Sequence, residues 1–392
     1  MRILITTFTY APQMNGVAQV VSAHVKEFIR HGHEVTVATG FDKHRNIDDE
    51  MIKGVRVVQF KVIGTPDLRG GYHGEVSKYQ DFISDWTGDL IMCHCWAFWP
   101  TDLAILQFPY VSAKKILVSH GCGLRRYPAN TIFPRGLVSL LSWRPYVWRM
   151  GKVMRKFDRV VFLSDKFDKK VYYDHWLARK EKLENISVIP TGVYPKEFDA
   201  VVPTFRTTYG IGNKLLVLCV SSYDRHKNQM LALRAFIRAN PRDAMLILIG
   251  GPHTEYFREL EMWYRQSSSR QKVLFLSNLD RQTICSAFNV ADLCLCSSLR
   301  ETGPLVVLEA MAARTPFIST DVGFVSVLPG GIVVRNETAM VEAICELLGD
   351  EKRRRDLGKE GRCAIEKKYN WVKIGEQYES LIQSLVREHR CE

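Results

Sequence analysis

From end to end the chain alternates between two apolar patterns, and that alternation constrains its fold more than any single motif. Short apolar runs at 3–7, 34–39, 55–60, 89–93, 116–119 and 160–163 read as strands buried on both faces of a parallel sheet. Between the first two, Val17, Val20, Val21, Val25, Phe28 and Ile29 recur at helical spacing. The second half repeats the theme, with strands expected at 215–220, 245–249, 273–276, 293–296 and 317–319. Helices are expected there over about 228–239, 255–266, 281–290, 305–313 and 337–348. Such alternation predicts α/β architecture with two doubly wound, Rossmann-like domains. A chain of 392 residues also suits two domains of ~150–200 residues better than one core. Two prolines and a glycine in Ile189-Pro190-Thr191-Gly192-Val193-Tyr194-Pro195 interrupt the pattern. The expected domains are therefore 1–192 and 193–370.

Composition narrows the function classes. Hydrophobic residues make up 46% and charged residues 24%, as in ordinary soluble domains. No apolar run approaches the ~18 residues of a membrane span, and the opening residues read as strand and turn with no cleavage site, so no signal peptide is expected. The ten cysteines include no C-x-x-C pair; Cys93/Cys95 and Cys294/Cys296 fall in apolar strands and read as buried thiols of a reducing compartment. The net charge of +12 calls for an anionic partner, yet there is no zinc-finger spacing, ribonucleoprotein motif or lysine-rich tail, so no nucleic acid is expected.

The most informative dozen residues are Glu301-Thr302-Gly303-Pro304-Leu305-Val306-Val307-Leu308-Glu309-Ala310-Met311-Ala312. They follow an apolar strand and a Ser297-Ser298 turn, and they predict a helix opening at Pro304. The N–H groups of that helix start, around Leu305 and Val306, suit an anion such as diphosphate. Glu301 stands in the loop before it and Glu309 near the end of its second turn. Two carboxylates flanking an anion site suggest a ligand with a phosphate middle and hydroxyl-bearing ends, such as a nucleotide-sugar.

This block, with the downstream Thr315-Pro316-Phe317-Ile318-Ser319-Thr320-Asp321-Val322-Gly323, resembles the E-x7-E signature of retaining glycosyltransferases of family 4, which have the two-domain GT-B fold. The resemblance spans nearly the whole chain and is strongest over about 215–325. It implies a cleft between the two domains, with a last helix, about 372–387, within a segment 371–392 that returns to the first. It implies that Glu301 contacts hydroxyls of the donor sugar and Glu309 the ribose hydroxyls, with Gly303 in the loop between. Ile189-Pro190-Thr191-Gly192-Val193-Tyr194 resembles the family's crossover into the second domain, departing at Thr191 and Tyr194. Lys227 fits the family's diphosphate-binding lysine, although Ser221 and Ser222 replace the usual Gly-Arg pair, leaving Arg225 as a candidate substitute. Asn278 follows the strand where relatives bind the base through backbone atoms, so side chains there do not encode the base; a UDP-sugar is the expected donor.

In the first domain, Gly16 of Asn15-Gly16-Val17 precedes the first helix and is similar to the family's glycine-rich loop, where a glycine lets backbone approach a phosphate. His120 ends a strand, where ligands of α/β domains sit, and matches the histidine that family members place beside the reacting sugar; His94 resembles another recurring histidine. His120, Lys227 and Glu301 are the expected catalytic residues. No D-x-D motif stands at a strand end, and neither metal nor cofactor is expected.

Between 125 and 159, Arg125, Arg126, Arg135, Arg144, Arg149, Lys152, Arg155, Lys156 and Arg159 face a single acid, Asp158. On a helical projection Leu140, Trp143, Val147, Met150, Met154 and Phe157 form one stripe, with basic residues and Trp148 opposite. Such an element suits an anionic membrane surface or, alternatively, a core-facing helix with a solvated basic side; Pro145 is expected to break or begin it. The expected enzyme is a metal-independent hexosyltransferase acting with retention on a lipid-linked or polysaccharide acceptor, cytoplasmic and peripheral on the inner membrane face. A degenerate GT-B subunit that binds donor or scaffolds a partner without turnover and a nucleotide-sugar epimerase are the alternatives.

Overall fold

A computed structural model describes the whole chain except residues 14, 46, 67–70, 123–134, 170, 268 and 391–392, and the backbone alone over 135–142 and 388–390. The chain divides into two compact units, Met1–Pro190 with Ile374–Glu392, and Thr191–Lys373.

The first unit holds β1 (Arg2–Thr6), α1 (Gly16–Arg30), β2 (Glu34–Gly40), β3 (Asp49–Ile52), β4 (Val55–Phe60), β5 (Val62–Thr65), β6 (Gly71–Gly74), α2 (Val76–Ser84), β7 (Leu90–His94), α3 (Trp99–Gln107), β8 (Lys114–Ser119), α4 (Arg135–Met154), β9 (Arg159–Phe162), α5 (Tyr173–Lys180) and β10 (Ile186–Val188). Eight strands form one sheet in the order β10-β9-β8-β7-β1-β2-β4-β3. It is parallel except where β3 runs antiparallel to β4. Ile3, Leu4 and Ile5 are fully buried, as are Leu90, Ile91 and Met92 on the neighbouring strand, so both faces of the sheet centre are covered. Because the chain moves outward from β1 in one direction and then returns through β7 in the other, the β1/β7 boundary is a switch point. The loops after these strands therefore diverge and leave a crevice at their carboxyl ends.

The second unit holds α6 (Pro195–Asp199), α7 (Phe205–Thr208), β11 (Leu215–Val220), α8 (Gln229–Ala239), β12 (Ala244–Gly250), α9 (Glu255–Gln266), β13 (Lys272–Ser277), α10 (Arg281–Val290), β14 (Leu293–Cys296), α11 (Leu305–Ala312), β15 (Phe317–Thr320), β16 (Gly331–Val334), α12 (Glu337–Gly349) and α13 (Glu351–Ala364). Its six-stranded parallel sheet has the order β13-β12-β11-β14-β15-β16, and its switch point lies between β11 and β14, which pair Val217 with Leu293. A final helix, α14 (Trp371–Arg390), buries Ile374, Tyr378, Ile382 and Leu385 along one face. Its C-terminal portion belongs to the first unit, where Gly375 lies so close to Glu27 that an added Cβ would stand 2.8 Å from the Glu27 Cβ.

Apart from the main sheet, β5 and β6 pair antiparallel, Val62 opposite Gly74. The expectation for the basic segment needs correction. Pro145 lies inside α4 and neither breaks nor begins it. It removes one backbone donor, while Met150 and Met154 beyond it are buried in the core of the first unit and Trp143 and Tyr146 pack against that core, which holds the helix on course. The stripe carried by Trp143, Met150, Met154 and Phe157 is thus core-facing. Arg144, Arg149 and Lys152 face outward with Trp148, which is 72% exposed. Arg125 and Arg126 lie outside the described residues. The Cys93, Cys95, Cys294 and Cys296 thiols are buried and none is in a disulfide, and burial pushes that of Cys93 up to about 12.

Candidate active site

The second unit's switch point assembles the first cluster. β11 ends at Val220, and Asp224 caps a short turn by accepting from the His226 N–H at 3.0 Å, which sets Lys227 at the turn's end. β14 delivers Ser297 and Ser298 beside it: Ser297 Oγ donates to the Lys227 carbonyl at 3.1 Å, and the Leu299 N–H donates to the His226 carbonyl at 2.8 Å. Lys227 Nζ then donates to Glu301 Oε1 at 2.6 Å, and Ser298 Oγ donates to the same oxygen at 2.7 Å. Lys227 and Glu301, 74 residues apart, are thereby one ion pair, with side chains only 20% and 16% exposed.

The loop between Glu301 and α11 is shaped by two glycines. A Cβ on Gly303 would lie 2.6 Å from Thr191 Oγ1, and one on Gly323, at φ +51°, would lie 2.8 Å from the Thr302 carbonyl oxygen. Pro304 sits one position before α11, as its cap, and not at its first turn. Its carbonyl accepts from Val307 and Leu308, while the N–H groups of Leu305 and Val306 precede the helix's own ladder. The half-buried start of α11 therefore offers amide donors and a positive dipole end near the Lys227–Glu301 pair.

Glu309 departs from the simplest reading. Only 6% exposed, its carboxylate is held by Arg281 at the start of α10, which also reaches Glu197 on α6 at 3.0 Å and lies over the Phe198 ring at 5.4 Å. Burial raises the Glu309 carboxyl above its ordinary range, and Arg281 partly offsets this. Burial likewise works against the Arg281 charge, but the acidic groups around it, Glu309 foremost with Cys285 and Glu197, together more than compensate and hold it above the ordinary arginine range. A ribose bound by Glu309 would share the carboxylate with this guanidinium. Arg281 was not evident from sequence; it lies 28 residues from Glu309, and only the packing of α10 against α11 joins them. Arg225 points to α9, pairing with Glu259 and lying 5.6 Å from the Tyr256 ring centre. At Ser221-Ser222, where the resemblance implied a Gly-Arg pair, the buried Gln229 donates to Ser221 Oγ and to the Ser222 carbonyl, both at 2.8 Å, so the loop's shape comes from a side chain that sequence reasoning passed over. Asn278 adopts a left-handed backbone, φ 56°, with its N–H on the Gly250 carbonyl at 2.9 Å.

In the first unit, Asn15 caps α1 by accepting from the Ala18 N–H at 3.0 Å, and Gly16 opens the helix with nothing within 4 Å of the position its Cβ would take. The ligand-free fold therefore does not itself require glycine there. His94 ends β7 and is fully buried; His120 follows β8 and is partly exposed. His94 Nδ1 lies 3.0 Å from His120 Nε2, and its Nε2 lies 3.4 Å from Nδ1 of His24 on α1. Burial drives all three below the ordinary histidine range, His24 to about 3 and His120 to about 4, so they are neutral at neutral pH. His24 hides in the apolar stripe of α1, which is why the sequence does not announce it. Among the described residues no cluster of three or more His, Cys, Asp or Glu side chains is placed to hold a metal ion, and no helix is long and apolar enough to cross a membrane.

Comparison with known proteins fits this geometry. Residues 14–197 match the family described as Glycosyltransferase Family 4, and residues 202–363 match Glycosyl transferases group 1. An uncharacterized glycosyltransferase of Methanocaldococcus jannaschii is 25% identical over 400 residues, covering 96% of each chain. The alpha-monoglucosyldiacylglycerol synthase of Streptococcus pneumoniae is 26% identical over 81% of this chain and 71% of its own. Among solved structures, the sucrose-phosphate synthase of Thermosynechococcus elongatus has a TM-score of 0.81 at 20% identity over 99% of both chains, a likeness of fold. Two doubly wound sheets, each matched by the corresponding half of one enzyme class, make this chain a glycosyltransferase of the GT-B fold, with a family 4-type first domain and a group 1 second domain.

Proposed function

We propose that the protein transfers a hexose from a nucleoside diphosphate sugar, with UDP as the nucleotide, to a lipid-linked or polysaccharide acceptor, retaining anomeric configuration. The observation that carries this reading is the Lys227–Glu301 pair beside the amide-lined start of α11. Lys227 supplies a compact positive charge and α11 its N–H groups, both suited to charge growing on a departing diphosphate, the electrostatic contribution that usually dominates such steps. With these donors meeting the diphosphate, the reaction as proposed invokes no catalytic metal. Glu301 is held by Lys227 and Ser298, an arrangement suited to binding sugar hydroxyls and ill suited to a free nucleophile. The acceptor oxygen attacks from the face the diphosphate leaves, and its proton passes to a leaving-phosphate oxygen as the glycosidic bond forms. His120 donates to the donor sugar. Glu309 takes the ribose hydroxyls, Gly303 keeps the intervening loop close, and Gly16 gives the phosphates room at the start of α1; Arg225 and the backbone at Asn278 complete the donor contacts.

A lipid acceptor is supported by the S. pneumoniae relative, whose name describes a glycosylated diacylglycerol product. The outward basic face of α4, with Trp148, suits an anionic bilayer surface, each basic residue contributing about 1 kcal/mol near the lipid; we place the protein on the inner membrane face. Thermal unfolding against a panel of nucleoside diphosphates and their sugars tests the donor. A ligand at a hundred times its Kd stabilises by ~2.7 kcal/mol, and UDP-sugars should stand out. A flat panel over a cooperative transition removes the donor site; stabilisation with no transfer or hydrolysis leaves a binding subunit.

A further inference from the structure

The proposed reaction uses the histidine chain of the first unit at one end only. A neutral imidazole carries one N–H and one lone pair. Two contacts in series through His94 must therefore run in the same sense: if His94 donates to His120 it accepts from His24, and the reverse holds as well. The outer nitrogens of the chain, His120 Nδ1 and His24 Nε2, then differ, one bearing a proton and the other a lone pair. A nucleoside diphosphate sugar is an anion that presents hydroxyl and phosphate oxygens, and a lone pair on His120 Nδ1 would face theirs.

We propose that His94, backed by His24, is a positioning residue that holds His120 as its Nδ1–H tautomer, so that a neutral histidine presents a hydrogen-bond donor to the sugar. This rests on the role given to His120 above. The surroundings of the chain hold the His94 and His24 rings in place. His94 is fully buried and His24 is 1% exposed; the Phe28 ring stacks on His24 at 5.8 Å and the Tyr378 ring meets it edge-on at 4.3 Å. The backbone at His94 is fixed as well. Its carbonyl accepts from Thr101 Oγ1 at 3.2 Å. The loop that follows holds two non-glycine residues in left-handed conformation, Cys95 at φ 72° and Ala97 at φ 54°, which persist only when the surroundings enforce them. Tyr146 of α4 supplies that enforcement: its hydroxyl accepts from the Ala97 N–H at 2.8 Å and donates to Asp102 at 2.9 Å.

The test pairs His94→Leu, which removes the donor to His120 Nε2, with His94→Asn, whose amide restores one near the same place. In protein labelled with 15N-histidine, ring shifts separate N–H from lone-pair nitrogens, and His120 is assigned by the signals lost in His120→Gln. His120 should show Nδ1–H in the wild type and in His94→Asn, and move toward the lone-pair value in His94→Leu. With a UDP-sugar, kcat for transfer or donor hydrolysis should fall about 100-fold in His94→Leu, as for loss of one aligned donor, with donor KM little changed and much of the loss recovered in His94→Asn. A merely structural His94 would lower kcat in step with melting temperature and show no rescue. An unchanged His120 shift across the three proteins overturns the proposal, as does equal kcat in the two variants. The expected tautomer pattern in a protein that turns over no nucleotide-sugar sinks the transfer reaction and leaves the positioning by His94 standing.

Discussion

Replacing Arg281 with methionine keeps most of the side chain's volume and removes the charge that neutralises Glu309. Glu309 is 6% exposed, and breaking a fully buried pair on one side costs ~3–5 kcal/mol. The arginine side chain is 38% exposed and shares itself with Glu197, so water takes up part of that loss and about 2 kcal/mol is expected at pH 8. The loss should depend on pH with a definite sign. Burial already raises the Glu309 carboxyl in the folded protein, and without Arg281 it rises further. A folded-state acid with a raised pKa binds protons more readily than its unfolded counterpart, so stability falls as pH rises from the unfolded pKa through the folded one. The Arg281→Met variant should therefore be least impaired near pH 5, where Glu309 takes up a proton, and most impaired above its own raised pKa. For a unit of this size 1 kcal/mol moves the transition by roughly 2–4 °C, so a deficit of about 4–8 °C at pH 8 should shrink by about half at pH 5. Calorimetry of both proteins across that range measures it. An equal deficit at both pH values, or none at pH 8, refutes the claim that Arg281 is the counter-ion of a buried charge.

Gly303→Ala puts a methyl group 2.6 Å from Thr191 Oγ1 and should destabilise by ~1–3 kcal/mol through overpacking; Thr191→Ala in the same chain should recover part of it, as read by urea unfolding. Glu309→Ala should weaken donor binding by titration calorimetry, whereas Lys227→Ala should chiefly slow transfer, by about 100-fold if its charge acts on the leaving group; normal turnover in both removes the proposed site. Changing Arg149, Lys152, Arg155 and Lys156 together to glutamate should abolish co-sedimentation with anionic liposomes, and unchanged sedimentation would leave the basic side of α4 with no membrane role.

Strands with both faces covered were legible because burial leaves them no polar position: Leu215–Val220 and Leu293–Cys296 fall where their apolar runs do. Helices of the second unit were equally plain, since Asp280, Thr254 and Asn336 accept from the first-turn N–H groups as caps. Edge elements were not. β3 reads Asp-Glu-Met-Ile with alternating exposure, and β16 reads Gly-Ile-Val-Val directly after Pro329-Gly330, and neither carries the run that marks an interior strand. The site divided in the same way. Lys227 and Glu301 follow strand ends that the alternation itself locates, and the switch-point rule brings them together. Arg281 and His24 were hidden because each sits on a helix whose own pattern accounts for it, and only packing between helices, or between a helix and a strand end, gives it a partner.

The place where the second unit begins and ends has a consequence of its own. The Val193 N–H donates to the Tyr369 carbonyl at 2.9 Å and the Trp371 N–H to the Val193 carbonyl at 3.1 Å, forming a parallel bridge between Val193 and Asn370. Gly192 permits this lacing, for a Cβ there would stand 2.9 Å from the Tyr369 carbonyl oxygen. Entry and exit of residues 191–373 are thus tied side by side, so this unit is a cassette inserted into the first at a single point. Transplanting it between chains requires two cuts that lie next to each other, and a short linker across them would close it into a ring with little loss of chain entropy. The unit that carries the Lys227–Glu301 pair and the histidine-bearing sheet can accordingly diverge or be recombined as separate parts, the lace between Val193 and Asn370 serving as the seam.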